Sequence, residues 1–136
     1  MLQVAVIREQ PDKVLEGLRK RNFKDAEFLI QQILEKDNLR KTTQKTLDDR
    51  NAKAKTDARQ IGELLKAQKT SEANGLRTSI AEAKEVTKSI EGSLIQLEKE
   101  VLELLYKIPN VPHEKVPAGT GAEDNLKIHE HGTVPK

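Results

Sequence analysis

Two long stretches of heptad spacing, interrupted once near residue 70, constrain this chain more than any other feature of its 136 residues. Alternating steps of four and three from Ala26 pass through Ile30, Ile33, Asp37, Arg40, Gln44, Leu47, Asn51, Ala54, Ala58, Ile61, Leu65 and Gln68, and eight of these thirteen positions are apolar. A second series runs Ala73, Leu76, Ile80, Ala83, Thr87, Ile90, Leu94, Leu97, Val101, Leu104 and Ile108, apolar at ten of eleven. Such spacing draws one apolar seam along a helix, and a seam needs a partner. A helix over 25–69 would be roughly 65–70 Å long, more than a domain of this size can bury, so it should project.

Both seams are satisfied if the chain reverses near Thr70-Ser71 and the helices pack antiparallel, with Ser71 as a helix cap followed by Glu72. Opposed positions then have numbers summing to 141: Leu65 with Leu76, Ile61 with Ile80, Ala58 with Ala83, Leu47 with Leu94 and Ile33 with Ile108. A one-heptad slip would satisfy the same pattern and move the tip to Asn74-Gly75. The polar seam residues Asp37, Arg40, Gln44 and Asn51 would face Leu104, Val101, Leu97 and Ile90 and extend their polar ends toward water, leaving the hairpin weakest at mid-length.

The flanks read differently. Gln3 to Arg8 suggests a short element, and Pro11 suits the first position of another helix, on which Val14, Leu15 and Leu18 share a face until Lys20-Arg21-Asn22 ends it. Asn22, with Asp25 three residues on, is a candidate cap for the long helix. After Ile108, three prolines and two glycines fall within residues 109–121, which cannot continue a helix. The expected fold is therefore all-α: a helical cap over 1–24, a long antiparallel two-helix coiled-coil hairpin over 25–108 (helices about 25–69 and 72–107, tip near 70–71), and an irregular Pro/Gly-rich segment over 109–136 that reads as a linker.

Composition agrees with long solvent-washed helices: 35% hydrophobic, 34% charged and only 2% aromatic. Without cysteine there are no disulfides or thiolate metal sites, which fits a reducing compartment, and a cytoplasmic location is expected. Neither a signal peptide nor an apolar run of membrane-spanning length is evident. The net charge of +2 hides an uneven distribution, since residues 40–69 carry nine basic and four acidic side chains whereas 91–136 carry five and eight.

That basic stretch supplies the candidate binding residues Arg40, Lys41, Lys45, Arg50, Asn51, Lys53, Lys55, Arg59, Lys66 and Lys69, with Arg77 beyond the tip. Cations at this density suit phosphate neutralisation, and A-form RNA is read largely by shape, phosphates and 2′-hydroxyls. The bland reading of each is a solvated coiled-coil face; Arg50 and Asn51 could equally lie beside the seam and stabilise the hairpin. Scarce aromatics disfavour stacking on single-stranded bases. His129 and His131 have H-x-H spacing without a third ligand, and His113 suits packing or hydrogen bonding better than acid-base catalysis. No triad, phosphate-cradling loop or other catalytic constellation is present.

A family resemblance adds to this. Met1-Leu2, Ile7-Arg8-Glu9, Pro11, Arg50-Asn51, Ile61-Gly62, and above all Ile108-Pro109-Asn110-Val111-Pro112-His113, Val116-Pro117-Ala118-Gly119 and Glu123-Asp124-Asn125 resemble the N-terminal region of bacterial-type seryl-tRNA synthetases. The resemblance implies an arm that clasps the long variable arm and elbow of serine tRNA, with selenocysteine tRNA as a second candidate, and leaves the anticodon unread. It further implies a class II catalytic domain in the same chain, homodimerisation, and ATP and magnesium use by the full-length ligase. No catalytic residue and no cofactor are assigned to the present residues, and neither DNA nor a membrane is an expected partner. The competing reading is a structural or partner-binding coiled-coil adaptor without RNA affinity.

Overall fold

The computed structural model describes residues 2–129 and 131–132. Met1, at the head of the resemblance, and the end of the expected linker lie outside them. The described residues hold four α-helices and no strand: α1 (Val4–Glu9), α2 (Pro11–Lys20), α3 (Ala26–Lys66) and α4 (Thr70–Lys107), followed by a short 3-10 turn at Ala122–Asp124. The all-α hairpin with its N-terminal cap is the architecture the heptads imply. The chain clusters into two compact units, one built from residues up to Leu34 and from Glu103 onward, the other Glu35–Leu102.

In the first unit α1 and α2 pack together. Ile7, Val14, Leu18, Ala26, Ile30, Ile33, Leu105 and Ile108 form its buried apolar core, and Leu15 is half-buried. Pro11 opens α2 as expected. Of the two parts expected of Asn22, ending α2 and capping the long helix, it plays the first. It is not the cap of α3, because it sits at φ 50° just past the end of α2. There Phe23 N donates to Leu18 O at 3.1 Å and Asn22 N to Arg19 O at 2.9 Å. This is a Schellman closure in which Asn tolerates the left-handed conformation that usually selects glycine.

In the second unit α3 and α4 lie side by side. Their reversal occupies residues 67–69, ahead of the expected Thr70-Ser71, and Ser71 lies within the first turn of α4 rather than capping it. Gln68 at φ 58° closes α3 as Asn22 closes α2, with Lys69 N donating to Leu64 O at 2.9 Å and Gln68 N to Leu65 O at 3.1 Å. Asn74 and Gly75, the tip of the slipped alternative, are helical.

An earlier reversal shifts the register. Helices ending at Lys66 and restarting at Thr70 oppose positions whose numbers sum to about 136, as do Lys36 and Glu100, whose ion pair closes at 2.6 Å. The expected sum of 141 is displaced by about one helical turn, which exchanges one apolar layer for the next and so leaves the pattern satisfied. Burial along the seam is uneven. Leu47, Ala73, Leu94, Leu97 and Val101 are buried, and Ile61, Leu64, Leu76, Ile80 and Ile90 half-buried, whereas Ala54, Ala58 and Leu65 are exposed.

Asp37 is the one buried charged residue among those described, at 3% exposure. Instead of extending to water it is neutralised in place: Arg40 Nε and Nη2 each lie 2.9 Å from its Oδ1, and Lys41 Nζ lies 3.6 Å from Oδ2. Burying a carboxylate is tolerable only with such partners.

Candidate nucleic-acid interface

All eleven candidate residues belong to the second unit, ten on or just past α3 and Arg77 on α4. Arg40 and Arg50 are half-buried and the other nine exposed. The structure separates them by what they already hold. Arg40 and Lys41 neutralise Asp37, Lys69 reaches Glu72 Oε1 at 3.2 Å, and Arg77 bonds Asn74 Oδ1 at 3.3 Å. The side chains of Lys45, Arg50, Lys53, Lys55, Arg59 and Lys66 have no ion-pair or hydrogen-bond partner among the described residues.

Helical periodicity divides the set again. At 3.6 residues per turn, Lys41, Lys45, Lys55, Arg59 and Lys66 fall within about 80° of arc on one flank of α3. They form a ladder of exposed cations. Arg50, Asn51 and Lys53 point elsewhere. With Ala54 and Asp57 they form one wall of a cleft of about 690 Å³ whose other wall, on α4, includes Ile80, Ala83, Lys84, Thr87 and Lys88. The cleft exists because, Ile80 apart, the seam here is made of small or polar side chains. In the observed register Ala54 lies opposite Ala83, Arg50 opposite Thr87, and Asp57 opposite Ile80, and neither helix fills the space between them.

Lys84 and Lys88 are cations the stripe does not include. One helical turn apart on α4, they face Arg50 and Lys53 across the cleft. Glu82, Glu85 and Glu91 balance them in sequence, and Glu85 and Glu91 line the cleft together with Asp57, so the opening gathers four cations and three carboxylates.

The remaining titratable features have local explanations. Lys36, followed by Gln96, hydrogen-bonds the Glu100 carboxyl and holds it below its ordinary range. The Asp124 carboxyl is lowered by the backbone amides of Thr120 and Gly121, at 2.7 and 3.3 Å. His113 Nδ1 accepts from Lys115 N at 3.2 Å, a turn-closing bond. His129 and His131 stack with ring centroids 6.4 Å apart, and no cluster of three or more metal-ligating side chains occurs among the described residues. No described helix is long and apolar enough to cross a membrane.

Comparison with known proteins places this geometry. Residues 1–112 match the family model of the seryl-tRNA synthetase N-terminal domain. The serine–tRNA ligase of Chlorobium chlorochromatii is 32% identical over 130 residues, covering 96% of this chain and 30% of that protein. That of Desulfitobacterium hafniense is 30% identical over 133 residues, covering 98% and 30%. Among solved structures, the seryl-tRNA synthetase of Pyrococcus horikoshii, determined with ATP, superposes with a TM-score of 0.81 at 26% identity, over 94% of this chain and 28% of that one. The chain thus spans about 30% of the length of these ligases. A helical cap, a long antiparallel hairpin and a match over residues 1–112 lead to one conclusion: the chain belongs to the seryl-tRNA synthetase N-terminal domain family.

Proposed function

We propose that the hairpin is a tRNA-binding arm that engages the long variable arm and elbow of serine tRNA by phosphate and sugar contacts along the exposed flank of α3. The observation that carries this reading is the ladder Lys41, Lys45, Lys55, Arg59 and Lys66, four of whose five members have no competing anionic partner among the described residues. Exposed cations on a helix flank, here interspersed with Asp48 and Glu63 on the same arc, release counterions from a phosphate backbone without reading base edges, so discrimination comes from the shape of the RNA. Serine tRNA is the RNA of choice because the relatives are serine–tRNA ligases. Selenocysteine tRNA is a second candidate for the same surface.

Attachment of serine, with the ATP and magnesium it consumes, belongs to a class II catalytic domain in a longer, homodimeric, cytoplasmic polypeptide. The residues of this chain supply no acid, base or nucleophile to that chemistry; they hold the tRNA in position. The test compares two double reversals in a salt-titrated binding assay. Lys55→Glu with Arg59→Glu, on the flank, should weaken serine-tRNA binding and flatten the dependence of log Kd on log salt by about one unit for each phosphate no longer neutralised. Lys84→Glu with Lys88→Glu, in the cleft, should act less. Unchanged affinity in the flank variant would remove the ladder from the interface.

A further inference from the structure

The end of α2 is directed at the segment that follows α4, and three consecutive side chains reach across to it. Arg21 Nη1 donates to Asn110 O at 2.8 Å, Asn22 Nδ2 to Gly119 O at 3.3 Å and Lys20 Nζ to Glu114 O at 3.4 Å. One turn earlier, Gly17 is buried against Val111 and Pro112, so closely that a Cβ there would overlap the Val111 side chain. All of these residues lie in the first unit.

The receiving segment needs such donors. With Pro109, Pro112 and Pro117 it has lost three amides, and it belongs to no helix or strand that would engage its carbonyls. What internal order it has is local: Val116 N donates to His113 O at 2.9 Å, and the amides of Thr120 and Gly121 donate to Asp124. These turns shape the segment but do not anchor it. The bonds from α2 do, at points spread from Asn110 to Gly119.

We propose that the C-terminal end of α2 is a clamp that makes residues 110–121 a fixed strap rather than a free tether. Arg21 and Asn22 are its positioning residues and Gly17 its point of closest approach. The cap thereby sets the course of the polypeptide as it leaves the hairpin base. Where the chain continues, as in relatives of which it spans about 30%, that course is the connection to everything downstream. The clamp does not depend on RNA binding.

Amide hydrogen exchange over residues 113–121 of the whole chain tests it. In Arg21→Ala with Asn22→Gly, glycine keeps the left-handed conformation that closes α2, so the helix end survives while two strap bonds are removed. Exchange in the strap should accelerate roughly tenfold, with α2 protection and far-UV circular dichroism unchanged. Arg21→Lys beside Asn22 should recover part of the protection. Arg19→Ala, on the same turn but paired with Glu27, should leave the strap as it was. Unchanged strap exchange in the double variant would overturn the clamp. Equal acceleration in strap and α2 would overturn it too, by showing that the two residues only cap their own helix.

Discussion

Filling the cleft should stiffen the hairpin. Ala54 and Ala83 are both exposed although they occupy seam positions, and they oppose each other in the observed register. Replacing each with leucine adds three carbons. At about 0.8 kcal/mol per buried CH₂, full burial would give about 2.4 kcal/mol per site. The cleft is open to water on one side, so about half of that, roughly 1 kcal/mol per site, is the expected gain. Alanine and leucine have nearly equal helix propensity, so little is sacrificed along the helix itself. The double variant should therefore gain about 2 kcal/mol, which for a chain of 136 residues raises Tm by roughly 6–10 °C. Thermal unfolding followed at 222 nm, with urea titration to confirm an unchanged m-value, measures this. A Tm equal to or below that of the parent would refute the reasoning, because it would mean the alanines already meet and the space between them is not a packing defect.

Three further outcomes follow from individual contacts. The Lys36 hydrogen bond lowers the Glu100 carboxyl, so between its folded and unfolded titrations the unfolded chain binds more protons; this increment of stability is present above the ordinary glutamate range and lost as pH falls through the lowered value. A Glu100→Gln variant should accordingly lose less Tm than the parent between about pH 5 and 3, and parallel pH profiles would contradict the assignment. Asp37→Leu with Arg40→Leu, which replaces the ion pair with seam-compatible side chains, should be neutral or stabilising by up to about 3 kcal/mol, whereas Arg40→Ala alone, which leaves the buried carboxylate with a weaker partner, should cost about 2 kcal/mol in urea denaturation. A Cβ at Gly62 or Gly92 would meet nothing within 4 Å, so alanine at each should add about 1 kcal/mol, and destabilisation at either would reveal a contact that the fold does not show.

The hairpin itself is legible in the sequence because two apolar series of matching length, with one break between them, admit few other solutions. Its register is not. A slip of one helical turn keeps apolar layers facing apolar layers, so the choice rests on the reversal, and that is closed by Gln68 in a left-handed conformation without the glycine that would announce it. Asn22 illustrates the same ambiguity, since asparagine serves both to start helices and to end them. Asp37 stands out as a polar seam residue, yet its partners Arg40 and Lys41 look like RNA-facing cations, because spacing on one helix does not tell which neighbour a charge will choose. Lys84 and Lys88 are hidden by nearby glutamates and become visible only across the cleft. The grip of α2 on residues 110–119 depends on hydrogen bonds between groups about 90 residues apart in sequence, which no local pattern encodes.

The measurement that bears most directly on the arm is a salt-titrated comparison of three RNAs binding to this chain: serine tRNA, the same tRNA without its variable arm, and a tRNA with a short variable arm. Tightest binding to the intact serine tRNA, with a steep salt dependence that flattens when the variable arm is removed, is the expected result. Equal affinity for all three, with one common salt slope, would contradict recognition by shape and leave the ladder on α3 as a solvated face of a structural coiled coil.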